Sequence, residues 1–209
     1  ELSFANPCTL LVAVVLSAQA TDVGVKRATK GLFAAADTPQ KMVELGIDGI
    51  THHIRTIGLF NMKAKNVHRL SQLLIDQHDS VVPEDRAALE ALPGVGRKTA
   101  NVVLGIAYRI PSGIVVDTHV TRVSQRLALT TEKNPEKVER ALCELFDEDE
   151  WIDNGHRILL HGRYVCLAKN PDCANCALAE ICPSRAADPL GSWQDRAEHA
   201  RALIESRGT

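Results

Sequence analysis

Apolar residues recur at intervals of three and four along most of the chain, and alternating strand patterns are nearly absent. Gly, Pro and Asp punctuate this rhythm, and it predicts helices over 7–19, 23–35, 38–45, 51–60, 61–78, 86–91, 97–108, 117–127, 135–145 and 151–166. Asp37 ahead of Thr38-Pro39 and Asn134 ahead of Pro135 supply cap-plus-proline helix starts. Ile114-Val115-Val116, after Gly113, has strand-like residues but is too short to build a sheet. The expected fold class is therefore all-α. The most apolar run, 8–20, is broken by Thr9, Ser17 and Gln19. It falls short of the ~20 apolar residues that a spanning helix needs and has no basic segment before it, so it reads as a buried helix rather than a membrane span or signal peptide.

The loop 109–113, with Pro111 and Gly113, separates a first helical block from one that holds most of the cysteines, which predicts domains at 1–111 and 112–209. Beyond Pro183 the chain becomes polar and Ala-rich, with a further helix expected over 193–206. The chain of 209 residues is 45% apolar and 24% charged, ordinary proportions for a globular protein. Its net charge of −2 excludes a globally basic nucleic-acid binder, but the charge is segregated. Segment 51–69 carries Arg55, Lys63, Lys65 and Arg69 with three histidines and no acid, while 144–153 holds six acids and no base. Phosphate contacts are local, so distribution matters more than the sum.

Cys166, Cys173, Cys176 and Cys182 follow the pattern C-x6-C-x2-C-x5-C. Structural zinc is usually held by two close pairs across a longer span, and here there is a single close pair. Four thiolates in one continuous loop suit an iron–sulfur cubane. Spacing leaves cluster, zinc and disulfides all open. Cys8 and Cys143 lie in apolar helices and read as ordinary buried thiols. Arg163, Lys169 and Arg185 would offset the negative charge of a thiolate cluster or meet a phosphate.

A second constellation is Leu92-Pro93-Gly94-Val95-Gly96-Arg97-Lys98-Thr99-Ala100, between two predicted helices. Gly94 and Gly96 permit positive φ and close approach of the backbone to another surface. The helix start after Gly96, with Arg97 and Lys98 at its mouth, is a ready anion site; the alternative is a plain helix–helix connector. Asp117, after an apolar run and before a helix, has the ordinary role of an N-cap.

Together these segments resemble the endonuclease III family of DNA-repair enzymes. Leu92–Ala100 looks like its helix–hairpin–helix, and Val116-Asp117-Thr118-His119-Val120 like its catalytic aspartate segment. Leu16-Ser17-Ala18-Gln19-Ala20-Thr21-Asp22, Gly58-Leu59-Phe60-Asn61-Met62-Lys63-Ala64-Lys65 and His161-Gly162-Arg163-Tyr164-Val165-Cys166 resemble its other hallmark segments. The matches run in order from about residue 3 to 183.

The resemblance implies two helical domains, a six-helix barrel with the helix–hairpin–helix and an iron–sulfur domain, with a DNA-binding cleft between them. It also implies a 4Fe–4S cluster on Cys166, Cys173, Cys176 and Cys182, and it is this likeness, not the spacing, that disfavours zinc. The activity implied is that of a bifunctional DNA glycosylase and abasic-site lyase, which removes oxidised pyrimidines from duplex DNA. Lys98 would be its nucleophile: a neutral amine can attack C1′, expel the base and form a Schiff base, after which β-elimination cuts the strand. Asp117 would assist proton transfer and stabilise cationic character on the sugar. Gly94, Gly96 and Arg97 would contact DNA. Gln19 and Leu59 would fill the gap left by the extruded nucleotide, although from the residues alone Leu59 reads as core and Gln19 as a helix-end hydrogen bonder. Phe60 stands where the family often has Tyr.

The partner implied is duplex DNA with damaged bases or abasic sites, met by a monomer in the bacterial cytoplasm or nucleoid with no membrane involved. Two readings compete. A related adenine-mismatch glycosylase needs an acid near the first buried helix and lacks the lysine, whereas segment 8–21 has no acid and Lys98 is present. A non-catalytic iron–sulfur DNA-binding module would have no use for both Lys98 and Asp117.

Overall fold

A computed structural model of the chain describes residues 3–187, so the helix expected over 193–206 lies outside the described residues. The described chain is helical, without a strand, and divides into two compact units between Ser112 and Gly113.

The first unit contains α1 (Pro7–Ser17), α2 (Asp22–Ala35), α3 (Pro39–Ile54), α4 (Phe60–Gln77), α5 (Arg86–Glu90) and α6 (Arg97–Val103). Helix α1 starts with a reciprocal cap: Asn6 Oδ1 accepts from Thr9 N at 2.8 Å, and Asn6 N donates to Thr9 Oγ1 at 3.0 Å. Its residues Cys8–Leu16 are all buried, as expected for a helix that is apolar on every side and lies central to a core. Helices α2, α4 and α6 pack around it. In α4, Val67, Leu70, Ser71 and Leu74 recur at helical spacing and are buried. Truncating a side chain such as Leu70 to Ala would cost about 2–5 kcal/mol through lost burial and the cavity left behind.

The sequence pattern places two helices where α3 runs. The break is real but occupies one residue, Gly46 at φ 70°, and the second half stops at Ile54 rather than at residue 60. The cap of α3 is Thr38, whose side chain accepts from Lys41 N. Asp37, expected there, instead accepts from Lys41 Nζ at 2.8 Å, which lowers its carboxyl pKa. The expected helix 97–108 changes character as well: α6 ends at Val103 and a π-helical turn spans Leu104–Tyr108. The chain beyond it is tied back by Tyr108 Oη donating to Val82 O at 2.7 Å and Arg86 Nη1 donating to Ser112 O at 2.7 Å.

The second unit contains α7 (Thr118–Arg126), α8 (Pro135–Leu145) and α9 (Trp151–Tyr164) around Ile114, Val120, Val123, Val138, Leu142 and Ile158. Ile114-Val115-Val116 is extended without pairing, and Ile114 is fully buried, so its β-branched residues serve the core. Asn134 caps α8, accepting from Glu136 N and Lys137 N. Gly162 lets α9 reach α7, because a Cβ there would stand 2.9 Å from Val123 Cγ2 and 3.1 Å from His119 O. No helix among the described residues is long and apolar enough to cross a membrane.

Lys63, expected as part of a basic surface, is only 3% exposed. Its Nζ has no hydrogen-bond partner among the described residues, and burial lowers its pKa. A buried unpaired charge opposes folding. The unfolded chain binds this proton more tightly, so the penalty is full below the lowered folded-state pKa and is relieved as pH rises towards the ordinary lysine value. Lys63→Met is therefore expected to raise the melting temperature at neutral pH, by a margin that shrinks as thermal melts are taken to alkaline pH.

Candidate active site and cysteine loop

The segment from Leu92 to Gly96 forms a tight turn between α5 and α6, anchored in the core by Leu92 and Val95. Its two glycines differ. Gly94 has φ 80°, and a Cβ there would stand 2.9 Å from Asn66 Nδ2 of α4 and 3.2 Å from Val15 Cγ1 of α1, so both conformation and space demand glycine. Gly96 has φ −103° and nothing within 4 Å of an added Cβ, so the fold itself does not require glycine there. As N-cap of α6 it supplies no side-chain acceptor, which leaves the first backbone N–H groups uncapped. Arg97 and Lys98 are the first two residues of α6 and both are exposed.

The two inserting candidates lie on touching loops of the same unit: an added Cβ on Gly58 would be 3.9 Å from Gln19 O. Gln19 (φ 52°) and Leu59 (φ 58°) both adopt the left-handed conformation. For a leucine this costs roughly 1–2 kcal/mol. Leu59 is 53% exposed, which overturns its reading as a core residue, and it begins α4 without a side-chain cap. Strain of this kind persists where the surrounding structure imposes it, commonly at functional sites. Gln19 is also exposed. Phe60, the residue after Leu59, packs against the first core.

In the second unit Asp117 is the N-cap of α7. Its Oδ1 accepts from His119 N at 2.8 Å and Val120 N at 2.9 Å. Both capping bonds fall on one oxygen, so Oδ2 takes no part in the cap. The carboxylate is half-buried and fixed in orientation, and capping does not consume it.

Cys166, Cys173, Cys176 and Cys182 line one pocket with Arg126, His161 and Arg185. None of the six cysteines is in a disulfide. Among the described residues no three His, Cys, Asp or Glu side chains gather as a site for a single metal ion. Arg126 was not anticipated from sequence. Its Nη1 donates to Cys166 Sγ at 3.2 Å and to Leu167 O at 2.7 Å, and its own carbonyl accepts from Ser184 Oγ at 2.7 Å. Arg122, one turn earlier, donates to Gly162 O at 2.7 Å and Cys166 O at 3.1 Å. The available signal was two arginines at i, i+4 on the helix that Asp117 caps. Of the three cations expected near the cysteines, Arg185 lines the pocket and Arg163 and Lys169 do not. His161 Nε2 stands 3.7 Å from Cys176 Sγ, and burial lowers its pKa. Cys8, outside this group, is buried in α1, which pushes its thiol pKa up to about 12 and leaves it unreactive.

Residues 12–148 match the family model described as HhH-GPD superfamily base excision DNA repair protein. The chain is 50% identical to endonuclease III of Escherichia coli K12 over 182 residues, covering 87% of this chain and 86% of that protein. Against endonuclease III of Bacillus subtilis it is 44% identical over 183 residues, with 87% and 83% covered. Among solved structures it resembles a trapped endonuclease III–DNA covalent intermediate, at TM-score 0.82 and 43% identity, covering 88% of this chain and 87% of that one. A thermostable thymine-DNA glycosylase shares the fold at TM-score 0.77 and 24% identity, covering 87% and 85%.

The two hairpin glycines predict a contrast. Gly94→Ala should lower the melting temperature, because strain and the clash with Asn66 and Val15 act together. Gly96→Ser should leave stability unchanged or slightly raised, since serine is a good N-cap, yet weaken DNA binding measured by fluorescence anisotropy.

Proposed function

The chain belongs to the HhH-GPD superfamily of base excision DNA repair proteins and is a DNA glycosylase of the endonuclease III type, and we propose that it is bifunctional, with Lys98 as its nucleophile and oxidised pyrimidines in duplex DNA as its substrates. What carries this reading is the placement of Lys98, exposed on the first turn of α6 beside the bare cap at Gly96. A relative was captured covalently bound to DNA, which is the outcome a lysine nucleophile produces.

In the proposed reaction the neutral Lys98 amine attacks C1′, the C1′–N bond breaks, and the base leaves with a proton. Ring opening gives a Schiff base between Nζ and C1′. Its iminium acidifies the C2′ proton, whose removal expels the 3′ phosphate and cuts the strand. Asp117 holds Oδ1 on the α7 cap and keeps Oδ2 to carry a proton and to stabilise positive charge on the sugar. Gly94, Gly96 and Arg97 would contact the phosphate backbone, with the absence of a side chain at Gly96 allowing close approach. Gln19 and Leu59 would occupy the gap left by the extruded nucleotide, a task for which exposed side chains on imposed left-handed backbone are suited.

We assign Cys166, Cys173, Cys176 and Cys182 as ligands of a 4Fe–4S cluster. Four cysteines around one pocket, none of them in a disulfide, with Arg126 donating to a sulfur, suit a group that places an iron behind each sulfur. A zinc ion would need all four sulfurs about 2.3 Å from one point. Bound there, the cluster would cross-link a loop that has no regular secondary structure.

Borohydride should trap wild-type protein on abasic duplex DNA as a covalent adduct, read on a denaturing gel, and the adduct should vanish in Lys98→Gln. Absence of an adduct with wild type would refute the lyase reading. Asp117→Asn, which keeps a capping oxygen, should retain stability and lose about 100-fold or more in base-removal rate. Protein prepared anaerobically should be brown and contain about four irons per chain. A colourless protein with one zinc per chain would overturn the cluster assignment.

A further inference from the structure

The first turn of α4 exposes a second apolar side chain for which the proposed reaction has no role. Met62, three residues after Leu59, is 54% exposed, about the same as Leu59 itself. An exposed methionine alone would call for no explanation, but the surroundings of this one are specific. Gln19 and Leu59 stand on touching loops, both with left-handed backbone. The first turn of α2 reaches the same place, since a Cβ on Gly24 would lie 3.7 Å from Ile57 Cγ2, and its Val23 is 71% exposed. Met62 thus lies one helical turn after the exposed Leu59, beside segments that also carry the exposed Gln19 and Val23.

The same face of α4 then changes chemistry. Met62, Lys65 and Arg69 follow one another at i, i+3 and i+7, so they form one stripe along the helix. Lys65 and Arg69 are exposed, and no acid interrupts 51–69. An apolar tip that runs into a two-cation stripe matches duplex DNA entered from its minor groove, where apolar side chains meet base and sugar edges and cations meet the flanking phosphates. A protein partner would need a wider apolar patch, and a membrane would need apolar residues along the helix where the lysine and arginine stand.

We propose that Met62 is a specificity-determining DNA contact. It packs against the base stack beside the gap that Leu59 fills, so that α4 engages a helix from which a nucleotide has been extruded more tightly than an intact one. Lys65 and Arg69 hold the backbone of either. This proposal rests on the reading of Leu59 as an inserting residue.

The test compares binding of two duplexes of the same sequence, one with a stable abasic-site analogue and one undamaged, by fluorescence anisotropy at fixed salt. Met62→Ser should lose about tenfold in affinity for the abasic duplex and less than twofold for the undamaged one, while Met62→Leu keeps the preference. Lys65→Ala should weaken both duplexes equally and reduce the slope of log K against log salt by about one. Equal losses on both duplexes in Met62→Ser, no loss on either, or a Met62→Leu variant as weak as Met62→Ser would overturn the assignment. Borohydride trapping of wild type tests the parent reading separately. If wild type traps and discriminates but Met62→Ser discriminates as well, only the role of Met62 fails.

Discussion

The packing at Gly94 is the constraint on which the first unit's site depends. The hairpin backbone presses so closely on Asn66 of α4 and Val15 of α1 that a single Cβ would overlap them. That contact joins three elements with different tasks. The hairpin presents Gly96, Arg97 and Lys98; α4 begins with Leu59 and Met62; α1 leads into the loop of Gln19. Leu92 and Val95 hold the turn from beneath. Because these pieces are wedged against one buried helix, the spacing between the proposed nucleophile and the proposed inserting side chains is set by core packing, which resists deformation far better than a surface loop would.

The second unit solves a comparable problem with a single helix. At its N-terminus α7 is capped by Asp117 through one carboxylate oxygen. In its second half Arg122 and Arg126 donate to the carbonyls and one sulfur of the cysteine loop. The nine residues of α7 thus have the proposed proton carrier at one end and, in the other half, the side chains that hold the cysteine loop. A loop with little regular structure is poor support by itself. Hydrogen-bonded to Arg122 and Arg126, its first residues are held against the same helix that Asp117 caps.

Much of this was legible in the sequence, and for identifiable reasons. Helical rhythm, the cap at Asn134 and the segments around Lys98 and Asp117 are local in sequence. Errors arose where the outcome depended on distant contacts or on backbone geometry. Leu59 reads as core because leucine usually is, yet it stands half exposed on left-handed backbone. Lys63 looked like surface because lysine usually is, and its burial depends on which face of α4 meets the core. Asp37 and Thr38 are both competent caps; Thr38 takes the cap and Asp37 pairs with the Lys41 side chain. Arg126 reaches the cysteines across 40 residues of sequence, a separation at which no spacing rule operates.

A net charge of −2 would ordinarily weigh against binding a polyanion. It does not here because the relevant field is local: interactions between exposed charges fade over about 8 Å at physiological ionic strength. The acids of 144–153 belong to the second unit, and the acid-free stretch 51–69 to the first. Within that stretch burial removes Lys63 from solvent and leaves Lys65 and Arg69 as an ordered pair on one helix face. Part of the first unit's positive charge thereby stands on the helix face that carries Met62. An enzyme that must search long stretches of intact duplex gains from this arrangement. On the proposed reading the two cations of this stripe add modest, sequence-independent contact with undamaged DNA, and the apolar side chains contribute where a nucleotide has left the stack. Discrimination then rests on what the DNA lacks at the lesion more than on total affinity.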